Sequence, residues 1–290
     1  MVQYNPKAWL ALIFHSYSRQ VVRLLLPALV VMGIYTTGMC YILLDYFELE
    51  FLSTTAVHSL LGIVLGLFLV FRVNSAYDRW WEGRRLWGLL VNNTRNLAAK
   101  LSSFLSEDDR ENRNYFAQMI PNYVTAVKEH LRDGVDLEDL DLVEDGFLSK
   151  LKSKDHIPNA LSQMLYKKVN QLYIDKKLTG DQFFVLDKEL KEFSDILGGC
   201  ERIKNTPIPY SYSMYIKKFI FTFTITLPFA FMTEFHYITV PIVLFVFFIL
   251  VSVELIAEEI EDPFGNDTND LPTDQLCEKI KKNVRELLEA

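Results

Sequence analysis

The chain lacks the short motifs of the common enzyme classes. There is no Gly-x-Ser-x-Gly, no phosphate-binding Walker loop and no His-Glu-x-x-His. The five histidines (His15, His58, His130, His156 and His236) are scattered along the chain, and the three cysteines (Cys40, Cys200 and Cys277) show no metal-binding spacing. We therefore expect reduced thiols and no disulfide framework. These absences argue against an enzyme and against a bound cofactor.

A basic surface for nucleic acid is also missing. The formal net charge is −7 at pH 7, and residues 254–290 carry all of it, with eleven acids against four bases. The middle of the chain, residues 72–218, holds 23 bases and 22 acids and is nearly neutral. A nucleic-acid-binding protein normally shows a local excess of positive charge, so this class is excluded.

Long apolar runs are what the sequence does contain. Leu24–Leu44 and Phe51–Phe71 are 21 residues each, and Phe219–Val253 is 35 residues long. A helix needs about 20 apolar residues to cross the hydrocarbon core of a bilayer. The third run is too long for one span and fits two short spans joined at Thr233–His236. The pattern predicts an integral membrane protein with four spans, the alternative being buried helices of a soluble protein.

The basic residues predict the orientation in the membrane. The links Asp45–Glu50 and Glu234–His236 hold no Lys or Arg, whereas basic residues lie before the first run, after the second run and before the third run. The positive-inside rule then places both termini and the long middle segment in the cytosol, with the spans in the cell inner membrane. The first apolar run is too long for the apolar region of a secretory signal peptide.

The pattern predicts an all-α chain in five parts: an interfacial segment 1–23, two spans in 24–71, a cytosolic helical region 72–218, two spans in 219–256 and an acidic cytosolic segment 257–290. Apolar residues at three- and four-residue spacing predict the polar helices. The helices are expected at Arg84–Ser106, Glu111–Leu131, Asn159–Tyr173, Asp181–Leu197 and Asp274–Leu288. For the fourth of these, Asp181 is the expected N-cap and Gly198-Gly199 the expected stop.

An apolar stripe follows one face of the second span. Ile63, Leu67 and Phe71 are four residues apart and so stack along the helix, beside a face formed by Gly62 and Gly66. Such a stripe usually meets lipid or another helix. If several subunits place this helix around an axis, the stripe instead becomes a narrow apolar constriction of the kind that gates by dewetting. His58, in the same span, is then a residue that could face the pore.

Two segments that follow spans are rich in charge. Three of the four tryptophans and four arginines lie between Arg72 and Trp87. This composition is typical of an interfacial anchor and indicates a fixed junction as well. Carboxylates cluster around Pro263-Phe264-Gly265, between Glu258 and Asp270. They form either a solvated acidic turn or a site for a hard cation such as calcium, which takes six to eight oxygen ligands.

The sequence resembles the bestrophin family, particularly its shorter bacterial members, over nearly the whole chain. The resemblance is carried by Arg79-Trp80-Trp81 after the second span, by the segment Ile260–Asp267 after the fourth, and by a helical insert between the second and third spans. It implies a homopentamer around one central pore, lined by five copies of the second span and held in the lipid bilayer. Passive conduction of small monovalent ions is the implied function, with chloride favoured and no cofactor required.

The resemblance also implies roles for single residues. The three-residue hydrophobic neck of the family falls on Ile63, Leu67 and Phe71. The ligand positions of a calcium clasp fall on four carboxylates, Glu259, Asp262, Asp267 and Asp270. A second constriction at the cytosolic exit is placed near Phe184. Two alternatives stay open: a monovalent cation channel of the same architecture, and a non-conducting membrane scaffold or sensor.

Overall fold

The computed structural model describes residues 16–48, 54–144 and 146–289, and these residues are helical with no strand among them. The predicted segment 1–23, the link Asp45–Glu50 and the start of the second span at Phe51 lie partly outside the described residues. In chain order the helices are α1 (Ser16–Cys40), α2 (Thr55–Phe104), α3 (Arg110–His130), α4 (Phe147–Lys152), α5 (Ile157–Ile174), α6 (Gly180–Asn205), α7 (Tyr210–Thr226), α8 (Pro228–Phe235), α9 (Thr239–Glu261) and α10 (Thr273–Leu288).

The chain divides into two compact units. Unit 1 comprises the residues up to Arg79, Pro207–Glu261 and Asp267–Asn269. Unit 2 comprises Trp80–Thr206, Asp262–Asn266 and the residues from Asp270 onward. Helix α2 is 50 residues long and contributes its first half to unit 1 and its second half to unit 2.

Unit 1 holds the apolar segments. Among the residues that the structure describes, three stretches are long and apolar enough to cross a membrane: Val21–Tyr46, Thr55–Phe104 and Tyr210–Glu261. The last has 52 residues and is broken at Pro228, where α8 begins, and again at His236, whose φ of 48° ends α8. Proline starts α8 because it lacks the N–H that a helix interior needs. The three apolar runs found in the sequence therefore lie on helices of spanning length.

The core of unit 1 joins α1, α2, α7 and α9. Its buried apolar side chains are Met32, Leu65, Leu69, Ile216, Ile220, Phe223, Leu227, Val243 and Phe247. Two hydroxyl groups on its helices pair with main-chain atoms: that of Tyr35 donates to the carbonyl of Ile225 at 2.8 Å, and that of Thr55 donates to the carbonyl of Ala230 at 2.8 Å. Such pairing is required where water is absent, because an unsatisfied polar group is costly there.

Unit 2 is a helical domain with a larger core. The second half of α2 packs with α3, α5, α6 and α10 around a cluster that includes Trp87, Phe116 and Phe193. The Tyr123 ring stacks on Phe193 at 4.8 Å, and its hydroxyl donates to the Phe193 carbonyl at 2.8 Å. The predicted polar helices of this region are confirmed to within a few residues at most of their ends.

The end predicted for α6 is wrong. The helix runs through Gly198-Gly199 to Asn205. A Cβ on Gly199 would lie 3.0 Å from the methyl groups of Leu86, so Gly199 lies where a larger residue would force the Leu86 side chain to shift, whereas a Cβ on Gly198 would meet nothing within 4 Å. The expected N-cap, Asp181, lies inside the first turn. Thr179 caps the helix through a capping box with Gln182.

Candidate pore-lining helix and acidic loop

The apolar stripe on α2 is exposed in the single chain. Ile63 is 72% exposed, Leu67 56% and Phe71 55%. Neighbouring turns add Leu60 and Val70, which are also more than half exposed. No other described residue of the same chain covers this face, so its apolar surface is available to lipid or to further copies of the chain.

The opposite face of α2 is buried in unit 1. Leu65 and Leu69 are almost fully covered and belong to the same core cluster as Ile220 and Phe223 of α7. A Cβ added at Gly62 would meet the Phe223 ring at 3.5 Å, whereas one at Gly66 would meet nothing within 4 Å. The two glycines that the sequence places on one face therefore differ, since only Gly62 packs closely against its own chain.

His58 lies on the buried face and not on the stripe. It is 8% exposed, and its Nε2 is 3.1 Å from the Thr226 hydroxyl on α7. Its ring also lies 6.0 Å from that of Phe223. The expectation that His58 could face a pore is therefore wrong, because packing against α7 turns its side chain inward.

A buried charge cluster follows directly after the stripe. The guanidinium of Arg72 is 1% exposed, and its Nε lies 3.4 Å from Oε1 of Glu254 and its Nη1 2.7 Å from Oε2 of Glu261. Glu261 also accepts the backbone N–H of Ile208 through Oε1 at 2.8 Å. A buried charge is costly unless it is paired, and Arg72 is paired with both carboxylates, with its Nε donating to Glu254.

Sequence reasoning missed this cluster. It treated Arg72 as a basic flank of the second span, and it took the apolar segments to be free of buried charge. The one signal was Glu254, a carboxylate that closes an otherwise apolar run of 35 residues. An acid at such a position calls for a basic partner, but the partner lies 182 residues away in the sequence.

The Arg79-Trp80-Trp81 junction is anchored on both sides of the unit boundary. In unit 1 the Nε of Arg79 donates to the carbonyl of Glu261 at 3.0 Å. In unit 2 Trp80 packs against the main core, whereas Trp81 is 55% exposed. Arg79 and Arg72 thus both bind the last residue of α9, which fixes α2 against α9 within unit 1.

The four carboxylates of the expected calcium clasp are divided between the units. Glu259 and Asp267 belong to unit 1, where they line a cavity of about 310 Å³ together with Glu258 and Thr268. Oε1 of Glu259 accepts the backbone N–H of Asn269 at 3.1 Å, which closes the loop over this cavity.

Asp262 and Asp270 belong to unit 2. Asp262 is exposed, and Asp270 is 2% exposed, with its Oδ2 2.8 Å from where a Cβ on Gly265 would stand. A larger residue at position 265 would therefore displace the Asp270 carboxylate. The Phe264 ring is buried against Gly83, and the Phe264 carbonyl accepts from Nε of Arg132 at 3.2 Å. The Pro-Phe-Gly turn is a structured loop of unit 2.

Phe184, the expected second constriction, lies near the start of α6. Its side chain is 72% exposed, and its nearest ring partner is Phe183, whose centroid is 6.1 Å away. Like the stripe on α2, it is a large apolar side chain that the described part of the chain leaves uncovered.

Comparison with known proteins gives a consistent result. The family described as Bacterial/Fungal Bestrophin protein matches residues 1–286. A voltage-dependent anion channel-forming protein of Nostoc sp., alr2987, is 39% identical over 230 residues, which are 78% of this chain and 75% of that protein. The voltage-dependent anion channel-forming protein YneE of Escherichia coli K12 is 29% identical over 88% of this chain and 83% of its own length.

The fold is similar to solved structures as well. A crystal structure of a bacterial bestrophin homologue from Klebsiella pneumoniae, carrying a single substitution, superimposes with a TM-score of 0.83 at 28% sequence identity. The match covers 92% of this chain and 99% of that one.

The buried charge cluster predicts that two substitutions of single basic residues lower the stability of the protein by very different amounts. Arg72→Met leaves Glu254 and Glu261 without their guanidinium, and we expect it to lower the stability of the protein by about 3–5 kcal/mol. Lys217→Met removes the exposed partner of Glu258, whose pair is 41% and 52% exposed, and we expect a loss of about 0–1 kcal/mol. Thermal unfolding in detergent, followed by tryptophan fluorescence, measures both.

A double variant separates the lost pairing from lost packing. Arg72→Met combined with Glu254→Leu removes both charges of the more deeply buried pair, and it should recover part of the stability lost in Arg72→Met. If Arg72→Met lowers the unfolding temperature no more than Lys217→Met, the cluster does not hold α2 against α9.

Proposed function

The chain belongs to the bacterial and fungal bestrophin family, and from this premise we propose that it is a passive anion channel of the cell inner membrane. The single observation that carries the proposal is the uncovered apolar stripe of Ile63, Leu67 and Phe71 on a helix of spanning length. The names of its relatives, anion channel-forming proteins, support the same class and do not suggest an enzyme.

The proposed assembly is a homopentamer in which five copies of α2 surround one pore. The proposed partner of the stripe is a second copy of the chain, because an apolar surface this exposed has to be covered by lipid or protein. The number five follows from the family resemblance. The open space at Gly66, where a Cβ would meet nothing within 4 Å, leaves room beside the stripe for a neighbouring helix.

The stripe would act as the neck of the pore. Its residues are four apart, and at about 1.5 Å rise per residue they form three apolar rings spaced about 6 Å along the axis. Ions passing such rings lose part of their hydration without gaining a charged ligand, so they bind weakly and pass quickly. Since the stripe holds no ionisable group, transport requires neither a bound cofactor nor a covalent step.

We further propose four spans per subunit with both termini in the cytosol. The Tyr210–Glu261 stretch supports two of them, since α7 and α9 pack on each other in unit 1 and the chain between them is broken at Pro228 and His236. Ions would leave through a cytosolic vestibule formed by unit 2, with Phe184 as a second apolar ring. The exposure of Phe184 supports this position.

A calcium site at the acidic loop is the remaining part of the proposal. Glu258, Glu259 and Asp267 place three carboxylates around one cavity, with the Thr268 hydroxyl as a further oxygen donor. This donor set fits a hard cation, which takes oxygen ligands. Asp262 and Asp270, the other two ligand positions that the resemblance implies, stay a prediction. A bound ion would add positive charge that the acidic segment lacks.

The neck predicts an effect of substitution on current. Replacing Ile63, Leu67 and Phe71 together by Ala widens and wets the constriction, so single-channel conductance or open probability should rise severalfold in planar bilayers. The matched control is the triple variant of Leu26, Val30 and Ile34 on α1. These residues have the same four-residue spacing and similar exposure, and their replacement by Ala should leave the current unchanged.

Native mass spectrometry checks that both triple variants keep the subunit number of the unchanged protein, which we expect to be five chains of 33.7 kDa. Equal currents in all three proteins, with the assembly intact, would contradict the neck.

The acidic loop predicts calcium binding that depends on two residues of unit 1. Glu259→Gln and Asp267→Asn each remove one negative ligand, and we expect each to weaken calcium binding by about tenfold or more in isothermal titration calorimetry. Asp108→Asn, an exposed acid outside the loop, is the control and should bind as the unchanged protein does. Calcium affinity that is the same in all four proteins would rule the site out, whereas the neck would stand.

A further inference from the structure

Two histidines and a glutamate meet in unit 2, far in the sequence from the acidic loop. His130 is the last residue of α3, His156 is the N-cap of α5, and Glu201 lies in the last two turns of α6. Oε1 of Glu201 is 2.8 Å from Nε2 of His130 and 2.7 Å from Nε2 of His156. The two imidazole rings are 4.4 Å apart. Three separate helices therefore direct nitrogen and oxygen donors to one point.

The donor set is one that borderline divalent metals take. Within the described part of the chain, His130, His156 and Glu201 offer ligand atoms that all lie within 4.8 Å of one another. Zinc binds imidazole nitrogen and carboxylate oxygen at about 2.0–2.2 Å, so tetrahedral neighbours stand roughly 3.3 Å apart. The observed distances need only a small opening to reach this value. Two imidazoles with one carboxylate leave a fourth position for water.

Accessibility supports binding from solution. The side chains of His130, His156 and Glu201 are 29%, 33% and 27% exposed, so an ion reaches them without unfolding of the domain. Calcium and magnesium prefer all-oxygen ligands. Imidazole nitrogen instead selects zinc, copper, nickel or cobalt, so this cluster differs in chemistry from the carboxylates of the acidic loop.

One hydrogen bond defines what has to change when an ion binds. Nδ1 of His156 accepts the backbone N–H of Asn159 at 3.2 Å, so the ring hydrogen of a neutral His156 lies on Nε2 and points at Glu201. A metal ion needs the lone pair of Nε2, and the hydrogen then moves to Nδ1. Binding therefore opens the cap of α5, a loss that is small beside three metal–ligand bonds.

We propose that His130, His156 and Glu201 form a site for a divalent transition-metal ion of the zinc class. The ion would join the end of α3, the start of α5 and the last turns of α6 through bonds that replace two hydrogen bonds. The site depends neither on the pore nor on calcium. Nearby, Nζ of Lys204 donates to the carbonyls of His130 and Arg132, which fixes the end of α3 before any ion binds.

The test uses the full-length protein in detergent, without a histidine tag and freed of metal by a chelator. Titration with Co²⁺ in the presence of excess calcium, which fills oxygen-only sites, should give the visible absorption of a four-coordinate nitrogen-containing site, saturating at one ion per chain. Zinc should then displace the cobalt and raise the unfolding temperature.

Three variants locate the ion. His130→Ala and Glu201→Gln should each weaken cobalt binding by about a hundredfold or more. Loss of a residue that only hydrogen-bonds to a metal ligand already costs up to about a hundredfold in affinity. His156→Asn is the most informative change, because asparagine is a good N-cap that keeps α5 intact while removing the ligand. It should abolish the cobalt spectrum with helicity unchanged. His236→Asn is the matched control. His236 lies outside the cluster and has a positive φ, which asparagine also adopts readily.

The proposal fails if cobalt binding does not saturate near one ion per chain, or if His156→Asn binds cobalt as the unchanged protein does. A thermal shift with zinc that persists in both His130→Ala and Glu201→Gln would likewise assign the ion to another place.

Discussion

Helix α2 has two unlike faces, and this asymmetry determines what the rest of the chain has to do. One face is buried in unit 1 through Leu65, Leu69 and the close approach of Gly62 to Phe223. The other presents Ile63, Leu67 and Phe71 with more than half of each side chain exposed. Apolar surface left in water costs about 25 cal/mol per Å². A helix of this kind therefore requires a membrane, further copies of itself, or both.

The buried charges hold α2 against α9 and leave the exposed face of α2 free of charge. Phe71 and Arg72 are adjacent in the sequence, and successive residues of a helix point about 100° apart. The aromatic ring consequently faces outward, while the guanidinium turns inward to Glu254 and Glu261. Because the positive charge is neutralised within unit 1, the exposed face stays apolar along its length. As the proposed neck of a pore, this uncharged stripe would suit passive conduction, whereas coupled transporters place ionisable groups in their pathway.

Much of this could be predicted from local patterns. Hydropathy found the three apolar stretches, and the four-residue spacing found the stripe on α2, because both features repeat within one or two helical turns. The N-cap of α6 was missed locally, by two residues, whereas the other failures involve distant partners. Gly198-Gly199 reads as a helix end until Leu86 is seen packed against Gly199. His58 reads as a pore residue until Thr226 is seen beside it. The Arg72 and Glu254 pair spans 182 residues, and no local pattern reports it.

The most direct test of the anion-channel proposal is the reversal potential of the purified protein in a planar bilayer under a KCl gradient. The anion selectivity proposed from the names of the relatives predicts current that reverses near the chloride equilibrium potential. Reversal near the potassium potential would contradict anion selection and indicate a cation channel of the same architecture. The absence of current from correctly assembled protein would contradict the channel itself and favour a membrane scaffold or sensor.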